Sequence, residues 1–142
     1  GSFHDIKKTL NYGIRSGHEE SRISLMQAYG RDGLLEANEI DDLVQYILDL
    51  SGQDADQAAA LRASETYMNI CASCHGATGK GDRMQGAPNL TDAIWLFGGD
   101  YDSLTETVTY SRKGVMPDWN ERLTEAQIRA VTTYVHQLGG GE

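Results

Sequence analysis

Cys71-Ala72-Ser73-Cys74-His75 holds the only two cysteines of the chain, three residues apart, with a histidine directly behind the second. On a helix, residues three apart lie on one face. Two thiols so placed can each add to one vinyl group of a single haem, and the adjacent histidine is carried under the iron to supply the proximal nitrogen. A disulfide framework would need more cysteines at wider spacing. A zinc site would want a second pair of ligands. A redox dithiol would want a strand–helix–strand setting, and no strand-rich stretch occurs here. The pentapeptide therefore reads as a covalent c-type haem attachment site, with Cys71, Cys74 and His75 as its residues.

The flanking sequence suits a flat ligand. Glycines crowd the loop Gly76-Ala77-Thr78-Gly79-Lys80-Gly81-Asp82, as expected of backbone turning tightly past a planar group. It is no phosphate loop, because its lysine and hydroxyl stand in the wrong order and place. Next comes Gly86-Ala87-Pro88-Asn89-Leu90. Pro88 lacks an N–H but keeps its carbonyl, which can accept a bond from the histidine Nδ1–H and fix the ring. Asn89 is counted with it among the cofactor-binding residues. The expected sixth ligand is Met116, in Lys113-Gly114-Val115-Met116-Pro117, since a thioether opposite histidine raises the reduction potential of haem iron. Met68 sits at helical core spacing, Met84 lies in the loop before Pro88, and Met26 belongs to another segment; His18 and His136 are further alternatives. Trp95, Arg112, Lys113 and Trp119 are candidates to meet the propionates or flank the haem edge.

The elements that must position these groups are helices. One runs from about Ala58 into the motif. Ser103 with Glu106 three later opens a short helix to about Arg112, with Leu104 and Val108 inward. Thr124 with Gln127 makes a capping box for a final helix, whose Leu123, Ile128, Val131, Tyr134, Val135 and Leu138 recur at helical intervals and which Gly139-Gly140-Gly141 ends.

The chain has 142 residues, 39 % of them apolar, and a formal charge of −9. It has no basic patch, so nucleic acid and anionic membrane are not expected partners; an acidic surface favours a basic partner face. No apolar run reaches transmembrane length, and no signal-peptide pattern is present. Gly1-Ser2 reads as the remnant of a cleaved tag on a piece of a longer protein, whose anchor or export signal would lie upstream.

This arrangement resembles the class I cytochrome c fold, an all-α fold around one covalent haem. Gly86 to Asp100 (Gly-Ala-Pro-Asn-Leu-Thr-Asp-Ala-Ile-Trp-Leu-Phe-Gly-Gly-Asp), with Gly114-Val115-Met116-Pro117, is similar to subunit III (CcoP/FixP) of the cbb3-type haem–copper oxidases. In that family the subunit is a membrane-anchored dihaem cytochrome c on the periplasmic side of the bacterial inner membrane. The resemblance implies a one-electron carrier relaying electrons from a soluble cytochrome donor towards the oxidase core, with the other oxidase subunits as partners and no catalytic centre of its own. A haem-based gas sensor with an open iron is the alternative, and the glycine-flanked Met116 argues against it.

The first third of the chain repeats the last. Leu35, Ile40, Tyr46 and Leu50 match Leu123, Ile128, Tyr134 and Leu138, each 88 residues on. Ile6, Leu10 and Tyr12 match Leu104, Val108 and Tyr110, and Met26 falls close to the place of Met116. Such self-similarity reads as a duplicated domain. Residues 3–52 are expected to be the back half of a first cytochrome c domain without its haem motif, and 53–140 a complete haem domain. Ile40, Leu43, Ile47 and Leu50 form an apolar face that cannot stay wet; it must pack on the haem domain, on another copy of the chain or on both, and the hypothesis is a homodimer through residues 3–52.

Overall fold

The computed structural model describes residues 1–139. These hold six α-helices and one π-helical turn, and no strand. The helices are α1 (Phe3–Tyr12), α2 (Ala37–Leu50), α3 (Gln57–Thr66), α4 (Ala72–His75), α5 (Tyr101–Tyr110) and α6 (Glu125–Gln137), and the π-turn is Tyr67–Cys71. The all-α expectation holds. Gly140 and Gly141, expected to end the last helix, lie outside the described residues.

The caps follow from side-chain chemistry. Asp56 accepts from the backbone N–H of Ala58 and Ala59 to start α3. Glu36 and Glu39 form a reciprocal capping box on α2, and Thr124 and Gln127 form the expected one on α6. Helix α5 starts earlier than the Ser103 reading. Asp100 is its N-cap and accepts from the Ser103 N–H, so Ser103 lies inside the first turn. An aspartate carboxylate caps at least as well as a serine hydroxyl and also complements the helix dipole.

The chain divides into two compact units that interleave along the sequence. One is Leu25–Arg112; the other joins residues 1–24 to the chain from Lys113 onward. The sequential division at 52/53 read from the repeat does not coincide with these units.

In the 25–112 unit, α2 forms a hairpin with α3 and also packs on α5. Ile40, Leu43, Val44, Ile47 and Leu48 of α2 meet Ala63, Tyr67, Leu90, Leu104 and Val108 in one core. Full burial of an aliphatic side chain contributes about 1.5–3 kcal/mol, so α2 is a main support of this unit. Polar contacts fix the hairpin register: the Arg62 guanidinium donates to both carboxylate oxygens of Asp42, at 2.8 and 2.5 Å, and Gln57 donates to Asp49 at 2.8 Å. The apolar face that motivated a homodimer is thus covered within the chain, and the physical ground for that expectation falls away.

In the other unit α1 packs on α6. Lys7 reaches Glu125 at 2.6 Å, and Met116 exchanges backbone hydrogen bonds with Ile14 at 2.9 and 3.0 Å. Only Ile128 and Thr132 of α6 are buried, while Val131, Tyr134, Val135 and Leu138 remain exposed.

Candidate haem site

The motif sits where α3 changes pitch. The helix widens through the π-turn Tyr67–Cys71 and tightens again in α4, which carries Ala72–His75. A π-turn inserts an extra residue and rotates the helix beyond it, and such turns recur at functional sites. Tyr67 anchors it. Its ring is fully buried, 4.7 Å from the ring of Tyr46, and its hydroxyl donates to the Gly76 carbonyl at 2.9 Å. Burial pushes that hydroxyl's pKa up to about 12, so it stays a donor at any physiological pH.

Cys71 ends this turn and Cys74 lies in α4, and both thiols are half-buried. Cys71 packs against the core, and burial, with the neighbouring Cys74, pushes its pKa up to about 11. The Cys74 thiol donates to Gln85 Oε1 at 3.2 Å, and the Gln85 amide donates to the Ser73 carbonyl at 2.9 Å. Gln85 was not singled out in the sequence, because a lone glutamine in a polar loop carries no pattern.

His75 Nδ1 lies 3.1 Å from the Pro88 carbonyl oxygen. That contact suits an Nδ1–H directed to the carbonyl, which leaves the other ring nitrogen, Nε2, with its lone pair. Burial lowers the pKa of the ring, outweighing the opposite effect of the Pro88 hydrogen bond, which favours the neutral imidazole. The Pro88 carbonyl is itself fixed by close backbone packing. Gly81 has φ +76°, and a Cβ there would lie 2.5 Å from the Ala87 oxygen and 2.7 Å from the Pro88 oxygen. The loop is laced by Gly81 N–H to His75 O and Leu90 N–H to Gly79 O, both at 2.7 Å, and by mutual bonds between Asp82 and Ala87.

The other sequence candidates fall as follows. Asn89 accepts from the Thr91 N–H and hydroxyl at 2.9 and 2.8 Å, an Asx turn behind Pro88. Trp95 is partly buried against the core, with Gly99 so close to its ring that a Cβ would overlap it. Arg112 is spent on protein contacts: the Phe97 and Ser103 carbonyls at 2.9 and 2.5 Å, Thr107 at 2.9 Å and Glu106 at 2.6 Å, with the Phe97 ring beneath it. Trp119 lies under Arg122, and Met116 in the unit of α1 and α6. Met84 is 89 % exposed and Met68 is exposed too. His18 stacks on Tyr12, and His136 lies beside Phe3.

An open cleft of about 490 Å³ is lined by Gln27, Tyr29, Leu35, Thr66, Asn69 and Ile70 among others. The donor set fits haem c: two thiols three residues apart and an imidazole with Nδ1 engaged by the Pro88 carbonyl. No group of three or more His, Cys, Asp or Glu side chains among the described residues could hold a bare metal ion.

Residues 58–135 match the family model of cytochrome c oxidase, cbb3-type, subunit III. The chain belongs to that family. Over its whole length it is 53 % identical to the cbb3-type cytochrome c oxidase subunit CcoP of Cereibacter sphaeroides, covering 49 % of that protein. It is 46 % identical to CcoP of Rhodobacter capsulatus, covering 51 %, and 46 % identical to FixP of a Bradyrhizobium species, covering 49 %. The chain spans about half the length of the curated relatives it matches. Membership in this cytochrome family implies covalently bound haem c, and both thiols such a haem needs are present. No helix among the described residues is long and apolar enough to cross a membrane.

Proposed function

We propose that this chain is a one-electron carrier, part of the relay that delivers electrons to the catalytic core of a cbb3-type oxidase. The observation that carries the reading is the His75–Pro88 contact beside the paired thiols. It supports one haem, which Cys71 and Cys74 would attach and which His75 and a methionine thioether would ligate. Met116, in its Gly114-Val115-Met116-Pro117 loop, is the methionine the sequence offers for that role. Such a haem would supply reversible one-electron exchange. The protein's own residues favour the neutral imidazole by burial, direct its Nδ1–H to the Pro88 carbonyl and shield Cys71.

Residues 3–52 read as the back half of one cytochrome repeat and 53–140 as a haem-bearing repeat. The parent protein would sit on the periplasmic side of a bacterial inner membrane, with the other oxidase subunits beside it and a soluble cytochrome as donor. The charge of −9 supports a basic donor face. Redox titration of the haem-loaded chain tests this reading. A reversible one-electron wave supports it; an iron that binds carbon monoxide rapidly in the unsubstituted protein favours an open-iron role.

A further inference from the structure

The loop that leads into α5 displays apolar surface that the core does not use. Burial alternates along Ile94-Trp95-Leu96-Phe97. Trp95 packs on the same core as Cys71, and Phe97 lies under the Arg112 guanidinium. Ile94 and Leu96 are 83 % and 84 % exposed. The loop that carries them is anchored. Asp92 accepts the Ile94 N–H, Gln53 donates to the Gly99 carbonyl, and Arg112 donates to the Phe97 carbonyl, each at 2.9 Å. Two neighbouring aliphatic side chains held in water on an anchored loop add no burial to folding. Their burial is left for a partner.

Carboxylates surround this pair. Asp92 and Asp100 flank the loop, and Asp102 is exposed in the first turn of α5. The bond from Gln53 to Gly99 brings the turn with exposed Asp54 alongside. The Tyr101 hydroxyl donates to Asp41 of α2. Arg112, the cation that anchors the loop, is paired with Glu106 at 2.6 Å.

The asymmetry of charge extends to the whole unit. Of the 21 acidic and 12 basic side chains, residues 25–112 hold 14 and 5, and the other unit holds 7 of each. The entire charge of −9 therefore lies on the unit that carries the attachment motif. An apolar centre within a polar rim is the anatomy of a protein–protein interface, and a rim of one sign steers the encounter with a partner of the other.

We infer that Ile94 and Leu96, with the carboxylates around them, form the docking surface for a basic electron-donor protein. The inference rests on the electron-carrier reading above and adds to it the place where the donor lands. In the docked pair one electron leaves the reduced donor, which is oxidised, and reduces the ferric haem of this chain to the ferrous form. No bond forms or breaks.

The test uses the haem-loaded 142-residue chain with a strongly basic mitochondrial cytochrome c, in its reduced form, as the donor probe. Stopped-flow absorbance gives the exchange rate from about 10 mM to about 200 mM salt, and NMR titration gives the Kd. Three double variants are compared: Asp92→Asn with Asp102→Asn, Ile94→Ser with Leu96→Ser, and Glu19→Gln with Glu121→Gln. Asparagine at 92 keeps an acceptor for the Ile94 N–H, so the loop stays in place. The aspartate pair is expected to slow association severalfold at low salt and to flatten its salt dependence. The Ile94 and Leu96 pair is expected to raise the Kd severalfold with the salt dependence kept. The Glu19 and Glu121 pair removes the same charge from the other unit and is expected to change neither. Equal effects from the two charge-removing pairs would overturn the docking surface and leave the carrier reading standing. So would a parental Kd after loss of Ile94 and Leu96, which would assign those side chains to a different partner. A loaded chain that takes no electron from the probe at any salt concentration would overturn both. Both apolar positions are exposed, so a folded variant is expected. Should the double serine variant fold poorly, Leu96→Ser alone replaces it, with the same rise in Kd expected and a parental Kd overturning the surface.

Discussion

The Tyr29 N–H donates to the Val108 carbonyl across a separation of 79 residues, tying a loop of the first repeat to a helix of the second. The bond matters because everything behind Tyr29 goes with it: α2, its apolar face, and the closure of the core around the haem motif. Tyr29 also lies beside the chemistry. Burial, with the nearby Cys71 and Cys74 thiols, raises the pKa of its hydroxyl.

Replacing Tyr67 by phenylalanine removes the hydroxyl of a buried ring that satisfies the partly buried Gly76 carbonyl. A loss of about 1–2 kcal/mol is expected, measured by urea unfolding of the haem-free chain. A variant as stable as the parent would show that the π-turn is held by packing alone.

Gly81→Ala drives a Cβ into the Ala87 and Pro88 carbonyls at a left-handed φ. The Pro88 oxygen must move, and the His75 Nδ1 proton loses its partner. The expected result is a destabilisation of about 1 kcal/mol or more and a changed reduction potential of the loaded protein. An unchanged potential would separate the loop from the tuning of the imidazole.

Arg112→Lys tests whether the fork of this side chain matters. Arginine reaches four acceptors and covers Phe97, which a single ammonium cannot reproduce. A loss of about 1–3 kcal/mol is expected, with α5 fraying first in hydrogen exchange. Full retention of stability would free Arg112 for a role at the haem edge.

In the haem-free chain, His75 has a pKa below its ordinary 6.5 because burial disfavours the cation. The unfolded chain then binds the extra proton in the window between the lowered value and 6.5. Stability is fully present above pH 6.5 and is lost as pH falls through that window. Thermal melts from about pH 7.5 down to about pH 5 should show the decline, and His75→Gln should flatten it. A decline of equal size in the variant would assign it to other groups.

The Cys71 thiol, pushed up to about 11 from 9.0, should form thiolate roughly a hundredfold less readily than an ordinary cysteine near neutral pH. Alkylation of the haem-free chain followed by mass spectrometry should show that lag at Cys71. Modification at the rate of an unstructured peptide would mean that the turn opens freely.

Much of this was legible in the sequence because it is local. The attachment motif, the Pro88 carbonyl and the Thr124–Gln127 box depend on residues a few positions apart, where spacing determines geometry. The helical faces of 40–50 and 128–138 were legible for the same reason. Their pairing was not. Two helices with the same apolar register present α3 with equivalent partners, and only the tertiary arrangement distinguishes them. Gln85 and the full occupation of Arg112 were hidden likewise, since each depends on where a loop returns. Asp100 and Ser103 are both good cap residues, and only the fold shows the Asp100 carboxylate accepting the Ser103 N–H.

The central claim is that Cys71 and Cys74 hold a haem that His75 ligates. Intact-mass measurement of the chain produced in cells competent for c-type maturation, with peptide mapping, tests it most directly. One haem per chain, bonded to the peptide containing both cysteines, is the predicted result. Two free thiols and no haem mass on a folded chain would contradict it.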